Sequence, residues 1–570
     1  MSDIYERINE LSLEEQEIIK LKSYLVGDHE LRGQLCLVLA SCKTEEEKKG
    51  ILQNLLHNIE KRPLSSSVAL SDSKRMKIME DQEKIVKKII LFARTAIDVD
   101  LNNKVIILPP LPGTECETHI YKHRCYEYFK NTILESKKHK RFCITGNPGT
   151  GKTFFGLYMM SVLLKEGFDL LVDDSSYPHL YLITHDKMNA FNVEWVQNED
   201  YGGVAERDNV WCIIDGKPPR VNHDFDTGKL IMVSSPKDLH IKNFCKPVNI
   251  TIKLYMQIWS KAELDECQSL IYPKISNDNL LESYQLCGGI PRLIFKYTLF
   301  EIDKMITNSV NNIDTNIFRY IGTLSEGDDY SHNLVHIHTN EEPMDVIING
   351  HTFVRSSYTS CELKFASAIV GDKVFARLKE FYKEETYKFV FASASVSPLG
   401  SIRGYMFEII AHNELSAGKT FLTRSLEKHK KSQKKLELPQ LTIKSCYTVD
   451  DIEYGKYCKP VAKNFETIDA IYIGKRYDLI FQMTVGRTHD IKQHGYELLH
   501  EKLGGKSANH TIRHYFVVPK DVYENFQKQP FTVKKEERGQ TKNVVNVKQW
   551  ITERVEQYAL LLDVGIKSTN

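Results

Sequence analysis

The sequence predicts a multidomain α/β protein. Three observations carry that prediction. The chain has 570 residues, room for three or four domains at about 150 residues each. Between residues 110 and 310, short apolar runs bounded by turn residues or charges alternate with helical stretches, the pattern of buried parallel strands joined by helices. Within that region, Gly146-Asn147-Pro148-Gly149-Thr150-Gly151-Lys152-Thr153 fits G-x-x-x-x-G-K-[ST], a spacing whose chemistry needs a strand before it and a helix after it. Hydrophobic residues at 42% and charged residues at 26% exclude a collagen-like or wholly disordered chain.

Residues 1–62 read as a helical N-terminal module. Ile4, Ile8 and Leu11, then Ile18, Leu21 and Leu25, fall near helical spacing. Thr44-Glu45-Glu46-Glu47 resembles a capping box that opens a further helix. Pro63 ends it, and residues 63–109 hold a Ser65-Ser66-Ser67 linker and an amphipathic helix near 77–97. Self-association is expected through the N-terminal helices or the nucleotide-binding region. The first residues, Met1 to Arg7, are charged and lack an apolar stretch, so no secretory signal is visible and an intracellular location is expected. No run of 18 apolar residues occurs, so no membrane partner is expected. Twelve cysteines without a CxxC pair suit reduced thiols better than a disulfide frame or a zinc site.

Residues 110–325 read as a P-loop NTPase domain with a parallel sheet and a helical lid. Phe142–Thr145 precedes the glycine-rich loop, and a helix follows from Phe154 through Leu164. The glycines let backbone N–H groups turn inward around phosphate. The helix N-terminus adds its positive end. Lys152 is expected at the β/γ oxygens of ATP or GTP, and Thr153 on Mg²⁺. Ile213-Ile214-Asp215 is an apolar strand that ends in the second Mg²⁺ acid. Gly216 follows where many ATPases carry Glu, which leaves the base unassigned. Asp173 and Asp174 are alternatives for that role, or a solvated loop. Ser235, at the end of Leu230–Val233, is a candidate γ-phosphate sensor. Arg292, in Gly288-Gly289-Ile290-Pro291-Arg292, is positioned to approach the nucleotide.

Residues 330–570 form the third part. From Ser401 onward there are 28 basic against 20 acidic residues, whereas the first 400 residues hold 48 against 55. The total is a net charge of +1 with a basic C-terminal end, which points to a polyanion such as DNA. The run from Lys428 to Lys435 could track a phosphate backbone or direct nuclear import. Glu408 on a helix, Asp469 beside one strand and Gln482 on the next match restriction-type nucleases, where carboxylates hold Mg²⁺ against the scissile phosphate. Glu408 and Asp469 are the candidate metal ligands and Gln482 completes the catalytic set. The usual lysine is absent from Gln482-Met483-Thr484; Lys492 or His489 could replace it.

The ordered set of the P-loop, Val210-Trp211-Cys212-Ile213-Ile214-Asp215-Gly216-Lys217-Pro218-Pro219, Ser234-Ser235-Pro236, Trp259-Ser260, Gly288–Arg292 and Phe481-Gln482-Met483-Thr484-Val485 resembles the Crinkler effectors and the related retrotransposon hot spot proteins. The resemblance covers roughly residues 110–540. It implies a STAND/AAA-like P-loop NTPase joined to a restriction-endonuclease-like domain, a toxin-like effector acting on DNA in the nucleus, or in the host-cell nucleus if delivered. Crinklers commonly begin with a ubiquitin-like header carrying a translocation motif, and this chain has a helical segment there. Two other readings stand beside a nucleotide-controlled DNA endonuclease. One is a nucleotide-dependent DNA-binding protein with an inactive nuclease fold; the other is a STAND-type signalling switch.

Overall fold

The computed structural model describes Thr44 and residues 72–112, 116–186, 190–218, 220, 228–236, 238–313, 331–348, 351–391, 399–427, 433–461, 465, 467–474, 477–500, 502–503, 511–534, 541–543 and 547–564. The expected module at 1–62 lies outside them except for Thr44, as do Lys428, Lys430 and Lys431 of the basic run. Contacts divide the chain into two units, Met1–Lys87 and Lys88–Asn570, and every element from β1 onward belongs to the second. The helix expected near 77–97 is α1 (Asp72–Asp98). Its C-terminal half, also in the second unit, buries Ile89, Phe92, Ala93 and Ala96 completely.

A ribbon of β1 (Val105–Leu108) and β2 (Thr118–Tyr121) leads through α2 (Cys125–Glu135) to β3 (Arg141–Thr145), every residue of which is buried. Then come α3 (Lys152–Lys165), β4 (Asp169–Asp174), β5 (Leu180–His185), β6 (Phe191–Val196), β7 (Val210–Asp215), β8 (Lys229–Ser234) and β9 (Thr251–Tyr255). The sheet order is β6-β5-β4-β7-β8-β3-β9. Five strands, β4, β7, β8, β3 and β9, run parallel. β5 and β6 are an antiparallel extension, so the apolar run Leu180–Ile183 departs from the parallel pattern expected of the strands between residues 110 and 310. A turn too short for a crossover helix follows β4, so β5 can only return alongside it. The parallel order places the C-terminal ends of β3, β7, β8 and β4 together at one edge.

Four helices follow the sheet: α4 (Lys261–Ile271), α5 (Asn277–Cys287), α6 (Pro291–Lys296) and α7 (Leu299–Asn311). Ser260 and Thr298 close capping boxes with Glu263 and Glu301, the local reason α4 and α7 begin where they do.

β10 (Val335–His338) pairs with β13 (Glu362–Phe365) around a hairpin of β11 (Met344–Ile348) and β12 (His351–Arg355). Helices α8 (Ala368–Phe381), α9 (Lys383–Phe391) and α10 (Gly400–Ser416) follow. They lead to β14 (Thr420–Ser425), β15 (Gln433–Glu437), β16 (Ile443–Cys446), β17 (Tyr457–Pro460), β18 (Ala470–Ile473) and β19 (Asp478–Met483). After β20 (Ile491–Lys492) and α11 (Gln493–Leu499) come β21 (Ile512–Val518), β22 (Phe531–Lys534), β23 (Thr541–Asn543) and β24 (Val555–Leu561). The large mixed sheet has the order β15-β14-β24-β21-β19-β18-β17-β16. β18 runs against both β17 and β19, while β19, β21 and β24 are parallel.

One apolar cluster joins Trp259, and Leu264, Leu286 and Ile302 of α4, α5 and α7, to Ile337, Phe365, Phe407, Phe481 and Tyr515. Cys446 on β16 and Cys458 on β17 form a disulfide, with Cα atoms 6.0 Å apart. This pair departs from the expectation of reduced thiols, whereas the other eight described cysteines are free. The pairing follows from β16 lying beside β17, which the 12-residue separation does not reveal.

Candidate functional site

The glycine-rich loop follows β3 directly. Gly149 and Gly151 have φ of 85° and 102°, values that side-chain-bearing residues avoid. A Cβ on Gly149 would stand 2.8 Å from Arg292 Cβ, so glycine there also lets α6 approach. Lys152 opens α3, is buried, and donates from Nζ to Gly146 O at 2.8 Å and Asn147 O at 2.7 Å. Burial, and then the Arg292 guanidinium, push its amine down to about 7. The Thr153 hydroxyl hydrogen-bonds the Asp215 carboxylate, whose pKa burial nevertheless pushes up to about 6. A carboxylate that costs free energy to desolvate, beside a hydroxyl oxygen, fits a divalent cation, which would offset that cost.

These groups face a cavity of about 540 Å³, lined also by Gly216, Ser234, Ser235 and Arg292, within the size range of nucleotide-sized ligands. Ser234 Oγ donates to Ser235 O at 2.9 Å. The structure thus brings Gly149, Gly151, Lys152, Thr153, Asp215, Ser235 and Arg292 together, with Pro148 on the wall. Gly146 and Thr150 shape the loop from behind. A Cβ on Gly146 would meet Met256 O at 2.4 Å, and Thr150 Oγ1 donates to Asn147 O at 2.9 Å. Asn147 points away from the cavity. Its Nδ2 donates to Val335 O at 3.1 Å and its Oδ1 accepts from Ile337 N at 2.7 Å. Its side chain ties the loop to β10.

Sequence reasoning missed the aromatic supports. Tyr126 Oη donates to Gly151 O at 3.0 Å, and Trp259 Nε1 to Thr150 O at 2.9 Å. His119, Tyr121, Ile271, Tyr272 and Phe295 also line the cavity, and the Tyr272 and Phe295 rings stack 4.4 Å apart. Aromatic side chains in the lining suit a planar base. Asp173 is no solvated loop residue. It is buried on β4 and paired with Lys217 at 2.8 Å and Arg220 at 2.7 Å.

In the C-terminal sheet, Glu408 on α10 lies 3.5 Å from His412 Nε2. His412 Nδ1 and the Tyr457 hydroxyl are 2.9 Å apart. Asp469 N donates to Phe481 O at 3.0 Å, although Ala470 is the residue paired with Phe481. Asp469 therefore sits just before the paired part of β18. Its Oδ2 accepts from Met483 N at 2.6 Å. Burial and the nearby Glu408 charge push this carboxyl up to about 7, against the pull of Lys459. Glu408 and Asp469 are therefore neighbours, and Lys459 is the cation that acts on both Asp469 and His412. It was missed because it lies on β17, far in sequence from the expected position.

Gln482 does not join them. It is fully buried, its Nε2 contacts His489 Nδ1, and its Oε1 pairs with His514 Nε2 at 3.0 Å. Gln482 alternates with Phe481 and Met483, which pack in the cluster containing α10, so its side chain leaves by the other face. His489, a proposed stand-in for the lysine, is occupied by Gln482. Among the described residues, no three His, Cys, Asp or Glu side chains are grouped to hold a metal ion. Nor is any described helix long and apolar enough to cross a membrane.

The five-stranded parallel core, the loop and the cavity define a P-loop NTPase site. Two Phytophthora infestans proteins, Crinkler effector protein 15 and Crinkler effector protein 16, are each 25% identical to the chain over 410 residues, 69% of this chain and 61% of theirs. The chain thus has a Crinkler-like family relationship, and it spans about three fifths of the length of those relatives. No protein-family model matches. Among solved structures, the RuvB Holliday junction branch migration motor of Thermotoga maritima is 14% identical with a TM-score of 0.21 and covers 36% of this chain and 78% of its own. The Hsp104–ADP complex of S. cerevisiae is 12% identical with a TM-score of 0.22, covering 51% of this chain and 42% of its own. AMPPCP-bound DnaA from Aquifex aeolicus is 12% identical with a TM-score of 0.20, covering 36% and 74%. Likenesses of that size carry no functional conclusion.

Proposed function

We propose that the chain is a Crinkler-like ATPase whose nucleotide state controls a restriction-endonuclease-like C-terminal part acting on DNA. The observation that carries the reading is the convergence of Lys152, Thr153 and Asp215 on one cavity. Lys152 would meet the β/γ oxygens, and Arg292 would add a second cation from the lid. Thr153 and Asp215 would hold Mg²⁺, which when bound neutralises phosphate charge. Tyr272 and Phe295 would enclose the base and exclude water.

For the C-terminal part, support comes from α10 preceding a β17-β18-β19-β21 order with β18 reversed, and from the Glu408–Asp469 pair. Two adjacent carboxylates are ligands for a divalent ion that polarises a phosphate. The nucleus is the location this activity requires if the substrate is nuclear DNA. A second reading, DNA binding by an inactive nuclease fold, is favoured by the withdrawal of Gln482 to the other face. The test of the first claim is phosphate release from ATP by the full chain. Wild type should turn over and Lys152→Ala should not. Equal rates in a folded Lys152→Ala would end the ATPase assignment.

A further inference from the structure

The residue after Asp215 is glycine, and the structure gives a reason. Gly216 has a φ of 65°, and a Cβ there would stand 2.7 Å from Ser175 Oγ. The end of β4 occupies the space that a side chain on residue 216 would need. A side chain at that place is disfavoured by the left-handed backbone and by Ser175, the residue after β4, and β4 carries its own acid. β4 and β7 are parallel, and Asp174 is directly opposite Asp215 in their register. Neighbouring strands are about 4.8 Å apart, and paired residues point to the same face.

That face is the one towards α3, because Asp215 bonds Thr153 there. Asp173 points to the opposite face, where Lys217 and Arg220 neutralise it. Asp174 is differently placed. Ser176 N donates to its Oδ1 at 2.7 Å, which fixes the carboxylate plane. Oδ2 makes no hydrogen bond among the described residues. Ser175, the next residue, and Asp215, the paired residue, both line the cavity. Asp215 is the one carboxylate among the described lining residues, and it is committed to Thr153 and the cation position.

We propose that Asp174 is the catalytic base of nucleotide hydrolysis, supplied by β4 in place of an acid after Asp215. The proposal rests on the reading of the P-loop site as a hydrolase. Oδ2 accepts a proton from water as the water oxygen bonds to the γ-phosphorus. The bond from that phosphorus to the β,γ-bridging oxygen breaks, and its electron pair leaves with the nucleoside diphosphate. Inorganic phosphate is the second product, and Asp174 returns the proton to solvent.

The test uses the full chain with ATP and Mg²⁺, comparing wild type, Asp174→Asn and Asp174→Glu. Loss of a general base lowers turnover by roughly 100-fold or more, so Asp174→Asn should lose at least that much kcat. A fluorescent ATP analogue should bind Asp174→Asn within about threefold of wild type, since no phosphate-binding group is removed. Nucleotide extracted after incubation should be ATP from Asp174→Asn and ADP from wild type. Asp174→Glu, which keeps the carboxylate, should recover part of the rate. Asp174→Asn turnover within threefold of wild type would overturn the proposal, as would a matching loss of nucleotide affinity, which marks a structural role. Wild type that binds ATP and releases no phosphate would refute the hydrolase reading itself, and the proposal with it.

Discussion

Replacing Asn147 by Ala should loosen the joint between the phosphate loop and the C-terminal half. Its side chain is 1% exposed and makes two buried bonds, to Val335 O and from Ile337 N. Removing it orphans one carbonyl and one N–H, each costing about 1–3 kcal/mol, so about 4 kcal/mol together. If the roughly 480 residues from Lys88 onward unfold as one unit, at about 2.1 cal/mol/K per residue the unfolding entropy is about 1 kcal/mol/K. The melting temperature should then fall by about 4 °C. Asn147→Asp should be worse than Ala. It keeps an acceptor for Ile337 N, but sets a buried carboxylate oxygen against the Val335 carbonyl. Scanning calorimetry of the three full-length proteins measures this. Both variants melting within 1 °C of wild type would refute the joint, and Asp milder than Ala would refute the assigned donor.

Lys152→Ala removes a charged donor, and the loss of a charge-assisted bond of about 1.5–3 kcal/mol should weaken ATP binding roughly 10- to 150-fold by titration calorimetry. Asp215→Asn should bind nucleotide but lose Mg²⁺-dependent turnover, and phosphate release with and without Mg²⁺ separates the two effects. Acid should destabilise the fold, because burial holds His123 and His338 at about 4 and His336 and His514 at about 3. With folded values below the unfolded value near 6.5, the unfolded chain binds more protons in that window. Stability is therefore full above about pH 6.5 and falls as pH drops towards 4. Denaturant titrations that give the same stability at pH 7 and pH 5 would contradict this. Tyr272→Ala, which removes an aromatic side chain from the cavity lining, should raise the Kd for ATP more than that for inorganic triphosphate.

The P-loop was legible because its chemistry is contiguous: eight residues state the loop, the cation and the Mg²⁺ hydroxyl, and flanking apolar runs supply strand and helix. Asp215 and Arg292 followed from local context. β4 was hidden, since its Leu170–Val172 run is short and its end carries two acids, which in sequence look solvated. Only pairing with β7 shows that Asp173 and Asp174 point to opposite faces. The direction of β5 depends on the turn after β4 rather than on its own apolar residues. Gln482 was legible as a strand residue, but the face it takes is set by His489 and His514, which sequence spacing does not place. Lys459 and Trp259 reach their sites from distant elements, and nothing near them in sequence marks the destination.

Nucleotide-controlled cleavage is decided by incubating plasmid with the full chain in Mg²⁺ or Mn²⁺, with and without ATP, alongside Asp469→Ala and Lys152→Ala. Wild type should nick supercoiled DNA at a rate that ATP changes. Asp469→Ala should not nick while still hydrolysing ATP, and Lys152→Ala should lose the response to ATP. Plasmid that stays supercoiled with wild type under every metal and nucleotide condition would contradict nucleotide-controlled cleavage and leave the inactive, DNA-binding reading in its place.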